Sequence, residues 1–589
     1  MSVFEVSDLF DPHFTHTGCT AVSSPLGEKA LQFDNTNLDF ASQYVTSDVL
    51  LPQGDFSVQF YLRTYASGCN GIPLPEGTLK KGEDPIDPAA RSLQQTLYGG
   101  TILSNCPCRI FSTGLSIQVN QPQSYFTVNF QTDKMEKPIS LRGMREPCDD
   151  RWHLMTVTVK RDGMLCVYCD EEMLKSADIS AHAGESLGEG TITVGCDSMK
   201  LYGLGKVDLA HLSVRCAVPA QDEITAVSRM NAVKALCHEI LSRQLDTCGV
   251  FEKEPVACLL EKVQKTLENL DISADCKAIY DDLRAAYEDT LLHMVAPDLK
   301  LLVVADTHCD EADNHRTVAF RNALQWAQKL DVDAMLHAGD YSQYGREGDF
   351  KGFWDSMRLH FNNKPFFLTV GNHETLYNDA QTLARRQCGW LREFNMIGED
   401  HDKMYYEGEV NGHHVLVLSQ YYDYEITGYK RMWQFAGKIG KEQMDWIREK
   451  VNAYCGQGKP VFLIIHNAHG PLLKQQAKGN CSHDSIILRG DELYDILRDH
   501  KDIILCTGHV HHGLGAVSGL FPIDGYHVLD IAGFKNATYG RGYDESKENV
   551  QVRHPGYFAY VFGRKILLRA ADFATKEWLP MYDQLVTLD

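Results

Sequence analysis

The stretch Leu301-Leu-Val-Val-Ala-Asp306-Thr-His308 is an apolar run that stops at two metal-binding side chains. Four later stretches repeat this pattern: DAMLHAGD ends at Asp340, PFFLTVGN at Asn372, PVFLIIH at His466, and DIILCTGHVH at His509 and His511. Apolar runs of this length, bounded by Gly, Asn and Asp, predict buried strands. In an open α/β sheet, ligands bind outside the carboxyl ends of the strands. If the five strands share a sheet, these Asp, Asn and His side chains converge on one edge, which is typical of two metal ions that share a carboxylate.

The order of these side chains resembles the calcineurin-like metallophosphoesterase family. All five of the family's motifs are present and in sequence: Asp306-x-His308, Gly339-Asp340, Gly371-Asn372-His373-Glu374, His466 and Gly508-His509-x-His511. A single Gly-Asp or Gly-His pair arises by chance in a chain this long, but five in order, each ending an apolar run, are poorly explained by chance. The resemblance spans about residues 298–589. It implies an α/β fold in which a four-layer β-sandwich is flanked by helices.

The family resemblance also implies a set of metal ligands. One ion is expected at Asp306, His308, Asp340 and His511, and the other at Asp340, Asn372, His466 and His509. Asp340 would bridge the two ions, and a metal-bridging hydroxide would be the nucleophile. His373 resembles the family's general acid or leaving-group stabiliser, and Glu374 is a candidate to orient it.

The donor set narrows the choice of metal. Four imidazoles among seven ligands argue against magnesium or calcium, which prefer oxygen ligands. Manganese, iron or zinc suit the mixed nitrogen and oxygen donors. Purple acid phosphatases, a branch of the same fold, have a tyrosine ligand three residues after the bridging Asp, where this chain has Gln343. The purple, ferric form is therefore not expected.

Three further residues lie near the motifs. His315 and Arg316 follow the first motif on a loop that is expected to face the metals, and an Arg there can hold a phosphate with two hydrogen bonds. A solvated loop arginine is the alternative reading of Arg316. His337 lies inside an apolar strand and is interpreted as a hydrogen-bonded core histidine rather than a ligand.

The first part of the chain has the pattern of an all-β protein. Phe56–Leu62, Tyr125–Phe130, His153–Val159 and Met164–Tyr168 alternate polar and apolar residues and are separated by turn clusters such as Arg161-Asp-Gly163. Together with Ala30–Asp34, Thr193-Val-Gly195 and Gly205–Asp208, these segments resemble a laminin G-like, concanavalin A-type jelly roll over about residues 20–224, and the domain is expected to cover residues 1–218. Such domains bind glycans or protein partners, or only pack against a catalytic neighbour, and the sequence leaves these alternatives open.

Residues 219–297 change to a helical period. Apolar residues recur every three or four positions, as at Leu236 and Ile240, Leu259 and Val263, and Ile279 and Leu283, with charges between them. No heptad pattern runs long enough for a coiled coil. We expect about three helices that form a spacer before the third domain, residues 298–589.

Composition limits the possible partners and location. A net charge of −22 without a basic run argues against a nucleic-acid surface. No stretch approaches 18 consecutive apolar residues, so no membrane span is expected. The amino terminus lacks the features of a signal peptide, and the 18 cysteines show no pairing pattern. These features predict a cytoplasmic protein, or an extracellular one if a leader has been removed.

The sequence therefore predicts a dinuclear metal-dependent phosphoester hydrolase, a phosphodiesterase or phosphomonoesterase that acts on a small-molecule or nucleotide-type phosphoester. One alternative is a glycan- or partner-binding scaffold with a vestigial metal domain. The other is a phosphoprotein phosphatase, for which no basic cluster apart from Arg316 is evident. Loops 341–350, 375–390 and 421–440 are expected to set specificity, the last through tyrosines such as Tyr424 and Tyr429.

Overall fold

The computed structural model describes residues 9–10, 12–24, 26, 29–33, 42–64, 100–107, 112–120, 125–144, 147, 152–200, 203–204, 207–272, 274–311, 314–376, 378, 380–422, 437–467, 487–509, 511, 514, 519–534 and 554–588. These residues form two compact units that divide between Val295 and Ala296. We call them the amino-terminal unit and the carboxyl-terminal unit.

The amino-terminal unit begins with fourteen strands among its described residues. They are β1 (Phe14–Thr17), β2 (Thr20–Ser23), β3 (Lys29–Phe33), β4 (Tyr44–Leu50), β5 (Phe56–Thr64), β6 (Gly100–Ser104), β7 (Gly114–Asn120), β8 (Tyr125–Gln131), β9 (Ile139–Met144), β10 (Trp152–Val159), β11 (Met164–Cys169), β12 (Glu172–Asp178), β13 (Thr191–Val194) and β14 (Val207–Arg215). A 3₁₀ turn, η1, covers Ser180–His182. One sheet has the order β1-β4-β13-β6-β7-β8-β9, and the other β12-β11-β10-β5-β14-β3-β2.

The two sheets share one hydrophobic core. Alternate residues of β5 and β10 in one sheet, and of β7 and β8 in the other, contribute to the same buried cluster. Phe60 on β5 and Phe126 on β8 bring their ring centroids to 6.5 Å. Because strand side chains alternate between the two faces, one set of side chains on these strands turns inward to this cluster. On the other face of the β5–β10 sheet, Ala30, Tyr61, Leu154 and Ala210 form a second, smaller buried cluster. All strand pairs of the two sheets are antiparallel.

Three helices follow the strands within the same unit: α1 (Gln221–Ser242), α2 (Lys253–Asn269) and α3 (Cys276–Thr290). The side chain of Asp275 caps α3 by accepting a hydrogen bond from the N–H of Ala278. The helices bury residues spaced three and four apart, such as Val256, Leu259 and Val263 on α2. No helix in the described residues has the length and apolarity needed to cross a membrane.

The carboxyl-terminal unit contains two large sheets and one small one. Its described strands are β15 (Leu299–Val304), β16 (Ala334–His337), β17 (Phe366–Leu368), β18 (Tyr406–Val410), β19 (His413–Val417), β20 (Tyr421–Tyr422), β21 (Gly437–Lys438), β22 (Val461–Ile464), β23 (Ile487–Leu488), β24 (Ile503–Thr507), β25 (Gly519–Ile523), β26 (Tyr526–Asp530), β27 (Pro555–Phe562), β28 (Lys565–Asp572), β29 (Glu577–Trp578) and β30 (Gln584–Thr587). The first sheet has the order β17-β16-β15-β27-β28-β29, with β30 also on β28, and the second β18-β19-β22-β24-β26-β25. Strands β20, β21 and β23 form the small sheet.

The helices of this unit lie between the strands in the sequence. They are α4 (His315–Lys329), α5 (Glu347–His360), α6 (Asn372–Thr375), α7 (Ala380–Glu393), α8 (Lys441–Tyr454) and α9 (Gly490–Leu497), and a 3₁₀ turn, η2, covers Pro580–Tyr582. Within the first sheet, β15, β16 and β17 are mutually parallel. Within the second, β19, β22, β24 and β26 are parallel. Buried residues of α8 and α9, such as Ile447 and Leu493, belong to one core cluster with β22 and β24.

The five apolar runs form strands, but they do not share one sheet. Strands β15, β16 and β17 lie in the first sheet, whereas β22 and β24 lie in the second. The two sheets meet at their carboxyl ends through a parallel bridge between Ala305 and Gly533. Each run is compatible with any buried parallel strand, and nothing in its periodicity specifies its neighbours, so the division could not be read from the runs themselves.

Candidate metal centre

The side chains that end the five runs come together where the two sheets meet. Five of them belong to residues with left-handed backbone: Asp306, His308, Asp340, His509 and His511 have φ between +43° and +75°. This conformation is costly for residues other than glycine and persists where surrounding structure enforces it, often at functional sites. The strands thus end in sharp turns that direct ligand-type atoms into one place.

The first group of donor atoms comes from β15, β16 and β24. Ligand-type atoms of Asp306, His308, Asp340 and His511 all lie within 4.8 Å of one another. His308 Nε2 is 3.2 Å from His511 Nε2, and His511 Nε2 is 3.3 Å from Asp306 Oδ1. His308 and Asp306 are completely buried. Two imidazoles that face each other beside two carboxylates form a donor set that suits a divalent transition metal.

The second group of donor atoms shares Asp340 with the first. Ligand-type atoms of Asp340, His466 and His509 also lie within 4.8 Å of one another. Asn372 Oδ1 joins them, 3.1 Å from His466 Nε2 and 3.0 Å from His509 Nδ1. The four side chains therefore offer two carboxyl or amide oxygens and two ring nitrogens to one point, which also fits a divalent transition metal.

Asp340 lies between the two groups and is held in a fixed orientation. Its Oδ1 accepts a hydrogen bond from the N–H of His373 at 2.9 Å. Its Oδ2 is 3.3 Å from His466 Nε2 and 3.7 Å from His308 Nε2. Burial raises the pKa of Asp340, but the neighbouring charges of His466 and His373 outweigh it and hold that pKa well below its ordinary value. Asp340 is therefore an ionised carboxylate at the centre of the site.

His466 is oriented by a backbone carbonyl. Its Nδ1 donates to the Ala338 carbonyl oxygen at 2.7 Å, which leaves Nε2 facing Asp340 and Asn372. Burial lowers the pKa of His466, but the Asp340 and Asp306 carboxylates outweigh it and raise that pKa to about 9. A histidine with one nitrogen fixed by a carbonyl and the other facing a carboxylate is the usual arrangement of a metal-binding imidazole. An ion at this position would take the place of the Nε2 proton.

His373 is held in a similar way, beside the donor groups. Its Nδ1 donates to the Gln343 carbonyl oxygen at 2.5 Å, and its Nε2 is 3.9 Å from Asp340 Oδ2. Its ring packs edge-on against that of His308, with centroids 4.4 Å apart. The ring is thus oriented by Gln343 and not by Glu374, which corrects the predicted role of Glu374.

Glu374 instead holds the backbone of the turns. Its carboxylate accepts hydrogen bonds from the N–H groups of Asp340, Gly371 and Ser342 at 2.7 to 3.0 Å, and from the Ser342 hydroxyl at 2.9 Å. Burial and the Asp340 charge raise the pKa of Glu374 to about 8, while the backbone donors oppose that rise. A side chain committed to four bonds on neighbouring turns cannot also orient His373, so Glu374 supports the turns that present Asp340 and Asn372.

Glycines in the motifs allow the turns to approach one another. A Cβ at Gly371 would lie 2.1 Å from Asp340 Oδ1, and one at Gly508 would lie 2.8 Å from Asp306 Oδ2. Both distances are too short for any side chain. Each glycine therefore makes room for a carboxylate from a different motif, which explains why Gly precedes the donor residues in the sequence.

His315 and Arg316 begin helix α4 instead of lying on a loop. The Asn314 side chain caps the helix by accepting from the Thr317 N–H, and the Thr317 hydroxyl donates to the carbonyl oxygen of Asp310 at 3.2 Å. The first turn of α4 is thereby tied to the segment that follows His308. Arg316 is half-buried, and its Nε has no hydrogen-bond partner in the part of the chain that the structure describes.

His554 joins these two residues, although it belongs to no motif that would identify it from the sequence. The rings of His315 and His554 have centroids 5.1 Å apart. His554 Nδ1 donates to the Phe534 carbonyl oxygen at 2.7 Å, and the Phe534 N–H donates to Ala305, next to Asp306. Burial, together with His315 and Arg316, lowers the pKa of His554 to about 4. We call His315, Arg316 and His554 the basic cluster.

The predicted specificity loops are described only in part. Residues 341–350 and most of 375–390 are described, and Tyr341 is buried with its hydroxyl donating to Gln387 at 2.7 Å. Tyr341 is therefore a packing residue and does not face a substrate. Residues 423–436 of the third loop, including Tyr424 and Tyr429, lie outside the described residues.

Comparison with known proteins confirms the family predicted for this part of the chain. Residues 299–513 match the family model described as calcineurin-like phosphoesterase. A probable purple acid phosphatase of Arabidopsis thaliana is 21% identical over 200 residues, which cover 32% of this chain and 42% of that protein. The DNA double-strand break repair protein Mre11 of Methanosarcina mazei is 30% identical over 112 residues, 17% of this chain and 16% of that protein. The chain thus spans less than half the length of these relatives.

Two solved structures illustrate the similarities at the level of coordinates. A dimetal phosphatase from Danio rerio is 15% identical with a TM-score of 0.36, covering 50% of this chain and all of that one. The binding domain of Paraclostridial Mosquitocidal Protein 1 is 14% identical with a TM-score of 0.27, covering 37% of this chain and 47% of that one. Both TM-scores are too low to support an inference about this chain.

Proposed function

We propose that the carboxyl-terminal unit is a dinuclear metal-dependent phosphoesterase. It would hydrolyse a phosphodiester or phosphomonoester of a small-molecule or nucleotide-type substrate. The observation that supports this most strongly is the sharing of one ionised carboxylate, Asp340, by two groups of buried donor atoms. The family match over residues 299–513 supports the same reaction class.

The donor side chains would hold two divalent ions, with manganese, iron or zinc as the expected metals. Such a pair neutralises the charge of a phosphoester and provides a nucleophile near neutral pH. The protein's own part is to fix the donors before substrate arrives. The Ala338 carbonyl sets the ring of His466, and the Asp306 carboxylate is positioned by the N–H of His509 at 3.0 Å. Donors that are already oriented need no reorganisation during the reaction.

His373 would transfer a proton to the leaving group. Because Nδ1 is engaged by the Gln343 carbonyl, Nε2 is the nitrogen that faces Asp340 and the donor atoms. A protonated Nε2 can donate to the departing ester oxygen, which would otherwise leave as a costly alkoxide. Neither Asp340 nor Glu374 can do this, because Asp340 is ionised among cations and Glu374 is bonded to backbone N–H groups.

The basic cluster would bind a negatively charged part of the substrate. Arg316 offers a half-buried guanidinium whose Nε has no hydrogen-bond partner among the described residues, and His315 is exposed beside it. The cluster is tied to the segment around Asp306 and His308 in two places. Thr317, next to Arg316, bonds to Asp310, and Phe534, which accepts from His554, bonds to Ala305. In an acidic protein such a local cation favours a substrate with a second anionic group, such as a nucleotide or diphosphate.

The test is hydrolysis of an aryl phosphodiester and the matching aryl monoester by the full chain reconstituted with manganese. Asp340→Asn should lower kcat by about 10³-fold and reduce the bound metal measured by elemental analysis. The matched control is Asp502→Asn, because Asp502 is also buried but precedes β24, at the end of the strand away from His509. It should keep both metal and turnover.

Two outcomes separate this proposal from its alternatives. A wild-type protein that binds no metal would contradict the enzymatic proposal and leave the scaffold with a vestigial metal domain. Turnover that survives Asp340→Asn would also contradict it. A phosphoprotein phosphatase would prefer a phosphorylated peptide to both aryl esters. The complete set of seven donors argues against a vestigial site, because decay is expected to remove at least one of them.

We also propose a division of the chain into three domains. Residues 1–218 would be a laminin G-like jelly roll, 219–297 a helical spacer, and 298–589 a four-layer metallophosphoesterase domain. The antiparallel sheets of the amino-terminal unit support the first assignment. That domain would bind a glycan or a protein partner. The cytoplasmic location predicted from the sequence is also part of this proposal.

A further inference from the structure

A polar cleft crosses the outer face of one sheet of the amino-terminal unit. It has a volume of about 140 Å³ and lies over β7, β8 and β9, where its walls include Ser116, Gln118, Asn129, Gln131 and Arg142. The neighbouring residues of β7 and β8, such as Leu115 and Phe130, point into the hydrophobic core instead. The cleft therefore lies on the side of the sheet that faces away from the core.

Side chains in the cleft are ordered by a directed chain of hydrogen bonds. Arg142 Nη2 donates to the Ser140 hydroxyl at 3.4 Å, which donates to Asn129 Oδ1 at 2.5 Å. Asn129 Nδ2 in turn donates to Ser116 Oγ at 3.2 Å. No acceptor for the hydroxyl hydrogen of Ser116 occurs among the described residues. The chain thus ends at a fixed hydroxyl that can donate to a ligand.

A second group in the same cleft is a buried acceptor. Gln131 is only 7% exposed, and its Nε2 donates to the Met135 carbonyl oxygen at 3.0 Å. Its Oε1, in contrast, is buried without a hydrogen-bond partner within the described parts of the chain. Leaving a buried amide oxygen unbonded costs stability, so a side chain held in this way is typical of a site that is completed by a ligand.

We infer that this cleft binds one residue of a neutral saccharide. A sugar hydroxyl both donates and accepts, so it can give a hydrogen bond to Gln131 Oε1 and receive one from Ser116 or Gln118. Among the described residues that line the cleft, the polar side chains are uncharged amides, hydroxyls and the Cys106 thiol, apart from Arg142, which is exposed. Pro107 and Pro138 add apolar surface for the carbon face of the ring. One water molecule needs about 10–15 Å³ of such space, so the cleft has room for a larger group such as one sugar ring.

This site refines the partner-binding role proposed for the amino-terminal domain and does not depend on the metal centre. The test uses fluorescently labelled full-length protein on surfaces that carry galactose, glucose, mannose, fucose, N-acetylglucosamine or N-acetylgalactosamine, with heparin as the anionic comparison. At least one neutral sugar should bind. Gln131→Leu keeps the size of the side chain and removes the acceptor, so affinity should fall about tenfold.

The matched control is Gln59→Leu, which removes an amide from the opposite sheet, where Gln59 donates to Thr156 at 2.9 Å. Its saccharide affinity should stay unchanged, as should that of Asp340→Asn, so a failed phosphoesterase and a failed saccharide site remain distinguishable. Gln118→Ala is the second cleft variant if Gln131→Leu does not fold, as judged by its unfolding temperature. Absence of binding to every neutral sugar, binding to heparin alone, or unchanged affinity in the folded cleft variants would overturn the inference.

Discussion

His373 shows how a single backbone contact determines the chemistry available to a side chain. Since Gln343 engages Nδ1, only Nε2 faces the candidate metal centre. His373→Gln should therefore lower kcat by about 10²- to 10⁴-fold while leaving the metal content unchanged, because His373 is not among the donor atoms. The loss should be larger for phenyl phosphate than for p-nitrophenyl phosphate, since the phenolate is the poorer leaving group and needs the proton more.

A purely structural role for His373 predicts a different pattern. Both aryl esters would then lose the same factor, and the bound metal would fall together with kcat. Measuring kcat for the two esters and the metal content of the same preparation distinguishes the two roles.

His337 allows a pH-dependence prediction at a residue outside the donor groups. The Gly339 N–H donates to its Nδ1 at 3.2 Å, so Nε2 carries the proton and donates to the Thr307 hydroxyl at 3.0 Å. This agrees with its interpretation as a hydrogen-bonded core histidine. Burial, the largest cause, lowers the pKa of His337 to about 3. The folded protein therefore holds this ring neutral at pH values where the unfolded chain protonates it.

The sign of the effect follows from the proton balance. Between pH 6.5, the ordinary histidine value, and about pH 3, the unfolded state binds one more proton at this position, so the stabilising contribution present above pH 6.5 is lost as pH falls. The free energy of unfolding should drop by about 1.4 kcal/mol per pH unit from this group. His337→Asn, which can still accept from Gly339, should show a flatter profile in urea titrations between pH 7 and 4. An equal slope in both proteins would contradict the prediction.

The sequence predicted the site residues whose position in a motif reveals their role, and it did not predict roles that depend on contacts between distant segments. The seven donor residues could be placed because each ends an apolar run at a strand terminus. The role of Glu374 could not be predicted, because its hydrogen bonds come from three backbone N–H groups and from the Ser342 hydroxyl. The role of His554, directly before β27, could not be predicted either, because it meets His315 only in the folded chain. Such contacts have no signature in local spacing.

The turn between β17 and α6 packs directly against the Asp340 carboxylate. Gly371→Ala would place a methyl group 2.1 Å from Asp340 Oδ1, so the Asp340 carboxylate must shift. We expect loss of bound metal, loss of turnover with aryl esters, and destabilisation by about 1 to 3 kcal/mol from overpacking. Gly389→Ala is the control, because nothing lies within 4 Å of a Cβ at Gly389 in α7. That variant should keep its activity and gain up to about 1 kcal/mol from helix propensity; full metal content in Gly371→Ala would contradict the expected shift.

The sequence predicted the positions of the strands better than it predicted which strands pair with one another. Strands β16, β17, β22 and β24 lie within their apolar runs, and β15 begins at Leu299, two residues before its run. Their division between two sheets was not apparent, because parallel strands buried on both faces have similar apolar runs whichever sheet they join.

At the level of the whole molecule, the structure has two compact units, whereas the sequence pattern predicted three domains. The change from alternating to helical periodicity near residue 219 marks a change of structure, yet α1, α2 and α3 belong to the same compact unit as the sandwich. All donor residues and the basic cluster, in contrast, lie in the carboxyl-terminal unit. The catalytic machinery that we propose is therefore contained in one contiguous segment.

That segment must extend well beyond the family match, which ends at residue 513. Strand β27 pairs with β15 from Leu299 to Val303, and β28 pairs with β27 along its whole length. Strand β27 also carries buried aromatic residues, Tyr557 and Phe558. Removing β27 and β28 would delete these residues and expose the edge of the strand that leads to Asp306.

A fragment of residues 296–589 should unfold cooperatively and keep the aryl ester turnover of the full chain. A fragment of residues 296–534 should fail to fold, as measured by circular dichroism during heating. Cooperative unfolding of the shorter fragment would show that β27 and β28 are dispensable for the site, and an inactive but folded longer fragment would mean that catalysis needs the amino-terminal unit.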